Sequence, residues 1–266
     1  MGRVLSPFLL IDEMGPVDYG PDEAVGAPWH PHRGFETVTY LLDGRMRHED
    51  SAGNNGELNP GDVQWMTAGR GIIHCEEPHE DFLRTGGRMH GFQIWVNLPK
   101  AHKMMQPRYQ EVPSSESPLV EQDGVWARVI AGECMGTSSS IDTKIPITLI
   151  HVKMEAGSQL LQQFEPGLNG MIYVFGGEVV IDNGLRMKTQ PISHGLGTKQ
   201  QIQDGELGIL SEGEEIIIRS TSASEFLILA GPELDEPIER YGPFVMNTRE
   251  EIRQAFLDYQ NGTFVD

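Results

Sequence analysis

Two stretches constrain this chain more than any other part of it: PWHPHRGFETVTYLLDG and, further along, NPGDVQWMTAGRGIIHCEEP. His30 and His32 are spaced i, i+2, and so are His74 and Glu76. In an extended chain alternate side chains share a face, so both members of each pair project the same way. Two such strands side by side would bring three imidazoles and one carboxylate to a single point. A lone histidine near a strand is ordinarily a satisfied or solvent-facing one. A second same-face pair beyond a Gly/Pro-rich turn makes a metal shell the better reading. Three His and one carboxylate suit the metals that imidazole favours, such as iron, copper, nickel or zinc.

The chain has 266 residues, enough for one large β domain or two smaller ones. Its 31 Gly and 17 Pro, with short apolar runs between them, favour many strands and turns over long helices. A formal charge of -19 argues against direct nucleic-acid binding, which needs Lys and Arg against phosphate. It is compatible with solubility or with a basic protein partner. Cys75 and Cys134 are too few for a disulfide framework, so a reducing cytoplasm is expected. Cys75 lies between two proposed ligands, and alternation aims it at the opposite face as a small buried residue. No stretch approaches the roughly 20 apolar residues that span a bilayer.

Taken in order, PFLLIDEMGP reads as an edge strand and TVTYLL as a strand. Asp43-Gly44 predicts a hairpin turn with RMRHEDS returning. VQWMTA, IIHCEE and GFQIWVNL follow as short strands, and residues 113–123 read as a linker. His48, His79 and His90 lack an evident same-face partner and are read as structural or surface residues. The second half repeats the first: TYLLDG is matched by IYVFGG, and GDVQWMTAGRGIIHCE by GELGILSEGEEIIIRS. In that register His74 falls opposite Ile218, Glu76 opposite Ser220, and His30 and His32 opposite Gln163 and Glu165. A copy without imidazoles there should hold no metal; His151 and His194 have no paired partners. At the end, Thr248 and Glu251 form a capping box, Ile252, Ala255, Phe256 and Tyr259 share a helical face, and Gly262 is a stop.

Glu36 is a rival ligand. Strict alternation puts it on the face of His32 but about 13 Å further along, so it reaches only if the chain bends at Gly34. Glu76 needs no bend and is preferred.

HPHRGFETVTYLL, GDVQWMTAGRGIIH, WVNLP and YGPFVMNTREEI resemble signature segments of the pirin family, in the cupin superfamily. They lie in both halves, so the likeness covers nearly the whole chain. It implies an all-β fold of two cupin (jelly-roll) β-barrels with a C-terminal α-helix. The expected parts are a metal-binding barrel (1–112), a linker (113–123), a barrel without metal (124–245) and the helix (246–266). The resemblance implies Fe(2+), with other divalent transition metals admissible, held by His30, His32, His74 and Glu76. Four ligands leave open positions, which suits chemistry more than a structural site. The activity implied is O2-dependent ring cleavage of quercetin or related flavonols, with Glu76 accepting the proton of the substrate hydroxyl and apolar strand residues lining the pocket. Arg33, Gln64, Met66, Gln93 and Trp95 are possible pocket neighbours. The alternative is an iron-bearing regulatory protein, a redox-sensitive cofactor of transcription or of metabolic enzymes acting through protein contact. A sugar-binding or isomerase cupin would need a polar, Lys/Arg-rich pocket. A cytoplasmic monomer is expected.

Overall fold

The structure is a computed structural model that describes residues 5–182, 201–211 and 213–265; His194 lies outside them. By contacts the chain divides into two compact units, Pro7–Glu116 with Leu234–Asp266, and Met1–Ser6 with Ser117–Glu233. These boundaries depart from those expected. The segment from Leu234 onward belongs with the first barrel, and part of the expected linker is a strand.

In the first unit the described strands before the tail are β1 (Phe8–Tyr19), β2 (Ala27–His32), β3 (Phe35–Asp43), β4 (Met46–Asp50), β5 (Asn55–Leu58), β6 (Val63–Thr67), β7 (Ile72–Pro78), β8 (Gly87–Asn97) and β9 (Arg108–Val112). They form a five-stranded sheet in the order β1-β8-β3-β6-β9 and a four-stranded sheet in the order β2-β7-β4-β5. The sequence explains the local choices. β4 alternates buried and exposed residues, with Met46, His48 and Asp50 turned inward. β3 is β-branched and aromatic and is buried along most of its length.

The predicted hairpin at Asp43-Gly44 is not one. β4 pairs with β5 and β7, whereas β3 pairs with β6 and β8. The turn carries the chain from one sheet to the other. A register shift between Leu41 and Asp43 bends the end of β3, and Gly44 adopts a positive φ of 96°.

The second unit holds β10 (Leu119–Gln122), β11 (Val125–Ala131), β12 (Glu133–Cys134), β13 (Thr137–Ser138), β14 (Thr148–Met154), β15 (Gln159–Gln163), β16 (Leu168–Gly176), β17 (Glu178–Asp182), β18 (Gln201–Gln203), β19 (Leu207–Ile209), β20 (Glu215–Ser220) and β21 (Ser224–Pro232). Its sheets run β10-β11-β14-β21-β16-β19 and β15-β20-β17-β18, beside the small pair β12-β13. Its core is apolar, built from residues such as Val129, Ile150, Val174, Ile181, Ile218 and Phe226. β10 pairs with β11, which is why residues 119–122 are part of a sheet.

Strand pairing corrects the predicted register of the duplication. His30 faces His74 and His32 faces Ile72 across β2 and β7. Leu160 faces Ile218 and Gln162 faces Ile216 across β15 and β20. If Ile218 answers to His74, then Leu160 and Gln162 answer to the two histidines, in place of Gln163 and Glu165. The second barrel still carries no imidazole at those positions.

The tail returns to the first barrel as β22 (Glu239–Tyr241), β23 (Phe244–Met246) and α2 (Arg249–Asn261), a short α1 (Glu80–Thr85) having come earlier. The capping box is present: the Thr248 hydroxyl accepts from the Glu251 amide, and the Glu251 carboxylate accepts from the Thr248 amide. Gly262 ends the helix in the left-handed region. Ile252 and Ala255 are buried with Phe244, Met246 and Phe264, while Tyr259 stays 41% exposed. Among the described residues, no helix is long and apolar enough to cross a membrane.

At Gly34 the tail packs tightly on the loop after the first histidine pair. The φ of Gly34 is +89°, and an added Cβ would lie 2.1 Å from the Val245 carbonyl oxygen. Gly34→Ala should therefore destabilise the protein by about 2 kcal/mol or more, from left-handed strain plus the collision. Urea unfolding followed by far-UV circular dichroism measures it.

Candidate metal centre

The geometry of the first barrel follows from one ladder. Antiparallel pairing sets His30 directly across from His74, and alternation along β2 turns His32 to the same side. The ring centroids lie 4.4 Å apart for His30 and His74, 4.6 Å for His30 and His32, and 5.1 Å for His32 and His74. One nitrogen from each ring falls within 4.8 Å of the others, a spacing that one ion can bridge after small side-chain rotations. Three of the four predicted ligands are thus brought together.

Glu76 is not among them. It shares the inward face of β7 with His74, but its carboxylate is turned to other partners. Thr39 Oγ1 donates to Oε1 at 2.9 Å, and Gln93 Nε2 lies 3.2 Å from Oε1 and 3.1 Å from Oε2. Glu36 stands apart too. Thr67 Oγ1 donates to its Oε1 at 2.5 Å, and its neighbour Phe35 lies against His32 instead, with ring centroids 5.1 Å apart. Strict alternation fails here because Gly34 turns the chain between two sheets and shifts the parity of the residues that open β3.

Protonation and orientation favour ligation. His30 Nδ1 is 2.7 Å from the Pro28 carbonyl and His32 Nδ1 is 3.4 Å from the Pro243 carbonyl. A carbonyl only accepts, so these contacts select the Nδ1–H tautomer and leave each Nε2 lone pair free. Burial, with further help from neighbouring imidazoles, pushes His32 and His74 down to about 3. Both are neutral, the ligating form, at physiological pH. His74 is fully buried and neither ring nitrogen has a hydrogen-bond partner. An unpaired buried nitrogen costs about 1–3 kcal/mol, and a metal would satisfy it. The residues fit such an ion.

Around the imidazoles the interior differs from the apolar lining expected. It carries a polar band. His48, left aside as structural or surface, is 2% exposed and lies across from Glu76 on β4. Its Nε2 meets Glu111 Oε1 at 2.6 Å, Gln64 Nε2 donates to the same oxygen at 3.2 Å, and the His48 ring stacks on Tyr109 at 5.2 Å. These groups are amides, hydroxyls, imidazoles and carboxylates, without the Lys and Arg of a sugar site. Gly56 leaves room for this contact, since a Cβ there would sit 2.5 Å from His48 Nε2. Trp95 lies 5.4 Å from His32 and 4.4 Å from Phe35, with the Arg240 guanidinium 4.5 Å from its ring centroid. Met66 packs with Ala68 and Ile72. Arg33 points away from the cluster to Asp258. His79 caps α1, and His90 pairs with Glu13. Cys75 is buried on the far face of β7.

Two barrels of paired antiparallel sheets, with a histidine cluster in the first, define a bicupin. The family model described as Pirin matches residues 1–96, and that of the Pirin C-terminal cupin domain matches residues 149–265. The chain belongs to the pirin family. It is 42% identical to Pirin from Homo sapiens over 260 residues, 97% of this chain and 82% of that one. It is 39% identical to a Pirin-like protein from Solanum lycopersicum over 260 residues, 97% of this chain and 81% of that one. The crystal structure of a quercetin 2,3-dioxygenase from Acinetobacter baumannii superposes with a TM-score of 0.89 at 37% identity, covering 99% of this chain and 88% of that one.

The depressed imidazoles give a pH signature. Below about 6.5 the unfolded chain takes up protons at His32 and His74, and the folded chain does not until about 3. The unfolded state binds more protons throughout that window, so stability falls as pH falls. Metal-free protein should show a urea midpoint that declines from pH 7 to pH 5. Replacing His32 with Ala should make that decline shallower.

Proposed function

We propose that this protein is a metal-dependent dioxygenase that uses O2 to open the ring of quercetin or a related flavonol. Its Fe(2+) would be held by His30, His32 and His74 and completed by Glu76. The observation that carries the reading is the buried His74, with both ring nitrogens unpartnered beside two further imidazoles. Likeness to a quercetin 2,3-dioxygenase at 37% identity supports the reaction class. When bound, the metal supplies the positive charge that acidifies a substrate hydroxyl and the redox chemistry that O2 requires. The nitrogen-rich set also suits nickel, copper, cobalt, manganese or zinc.

The chain's own residues do the rest. Glu76 accepts the proton of the flavonol 3-hydroxyl at a carboxylate oxygen. Thr39 and Gln93 donate to that carboxylate and hold its position. Trp95, partly exposed and backed by the buried Phe35 beside His32, with the Arg240 guanidinium 4.5 Å from its ring centroid, offers an aromatic edge for a planar substrate. His30 is the one cluster member that is not fully buried, so the open side of the site lies there.

His32→Ala should remove both bound iron and quercetin turnover while the protein remains folded, read by elemental analysis and O2 uptake. Turnover retained without metal would remove the mechanism. Glu76→Gln should keep a folded protein and lower turnover about 10²–10⁴-fold, the usual span for a lost acid–base group. A metal-loaded protein that consumes no O2 across a flavonol panel would favour the regulatory reading, in which the iron state governs contact with a protein partner.

A further inference from the structure

The residue after the last ligand of the first motif is buried, charged and aimed away from the metal. Arg33 is 4% exposed. Its Nη1 donates to Asp258 Oδ2 at 2.6 Å, its Nη2 donates to the Phe264 carbonyl at 3.2 Å, and its guanidinium lies 4.3 Å from the Phe264 ring centroid. Both partners belong to the last turn of α2 and the residues just after it. A carboxylate in the last turn of a helix opposes the helix macrodipole. Gln254 Nε2 donates to Asp258 Oδ1 at 2.7 Å within the helix, which leaves Oδ2 to Arg33 as the contact that ties the helix to the first motif.

The backbone repeats the connection. Arg33 bridges Phe244 in parallel, and the Val245 amide donates to the Arg33 carbonyl at 3.1 Å. Lys103, 1% exposed, donates through Nζ to the carbonyls of Gly34 and Val245 and to Asn97 Oδ1, at 2.8, 3.0 and 2.6 Å. The tail also meets the cluster itself: the Pro243 carbonyl lies 3.4 Å from His32 Nδ1. The tail thus grips the residues directly after His32 on one side and orients the His32 ring on the other.

We propose that the tail from Pro243 to Phe264 is an outer shell of the metal centre, in which Asp258, acting through Arg33, is a positioning residue for His32. The inference rests on the metal reading above. It adds that metal binding and docking of α2 are energetically coupled, so that each favours the other. Loosening Asp258 frees the Arg33 side chain, relaxes the turn at Gly34 and lets the His32 ring leave its ligating direction. Outer-shell partners of this kind are worth about 10- to 100-fold in metal affinity.

The test uses the full chain loaded with Co(II), whose visible absorption band reports ligand geometry, titrated against a chelating competitor. Asp258→Asn should weaken Co(II) binding about 10- to 100-fold and shift the band, and Asp258→Glu should recover part of the affinity. Hydrogen exchange on the wild-type protein asks the reverse question without any variant. Removing Co(II) should speed exchange of the Val245 amide and of amides in 252–261. This second measurement decides the matter if Asp258→Asn does not fold. Wild-type protein that binds no Co(II) overturns the metal reading and this inference together. Normal wild-type binding with an unchanged affinity and band in Asp258→Asn, or tail exchange indifferent to metal, overturns this inference alone.

Discussion

A fully buried imidazole whose two nitrogens meet no partner is costly to fold, and His74 is such a group. Much of the first barrel is arranged around it. β2 lies across β7 so that His30 faces it, alternation adds His32, and carbonyls of Pro28 and Pro243 turn the remaining nitrogens. Desolvation holds His32 and His74 neutral, which removes the charge repulsion that three clustered imidazolium ions would suffer. The arrangement is unfavourable for an empty polar pocket and well suited to a cation that accepts three nitrogen lone pairs.

The second barrel is the internal control. It repeats the two-sheet plan but sets Leu160, Gln162 and Ile218 where the first sets His30, His32 and His74. Its core cluster is apolar, mostly Val, Ile and Leu with Phe226, although Gln162 is also buried. The scaffold therefore does not require a polar interior. His48, Gln64 and Glu76 are buried in the first barrel, where two sets of hydrogen bonds hold them: His48 and Gln64 meet Glu111, and Thr39 and Gln93 meet Glu76. That contrast supports a chemical role for the band more strongly than its polarity alone.

Much of this was legible in the chain. The i, i+2 pairs named the three histidines, the β-branched runs named most strands, and Thr248 with Glu251 named the start of the helix. What escaped was parity and partnership. Strict alternation puts Glu36 on the face of His32, and turn chemistry puts a hairpin at Asp43-Gly44. Both errors have one cause: a glycine at positive φ moves the chain between sheets, and local alternation cannot see which sheet comes next. His48 was set aside because its partner, Glu111, is 63 residues away.

The sequence by itself determined that His30 and His32 would share one strand face and His74 and Glu76 another, since a side-chain period of two is a property of the extended backbone. It also determined that a helix would close the chain, because capping is local. Only the tertiary structure decided that Glu76 turns to Thr39 and Gln93, that the tail from Leu234 belongs with the first barrel, and that Asp258 reaches Arg33. Those contacts join residues from 17 to 225 positions apart, and at such separations the pairing depends on where the sheets place each segment.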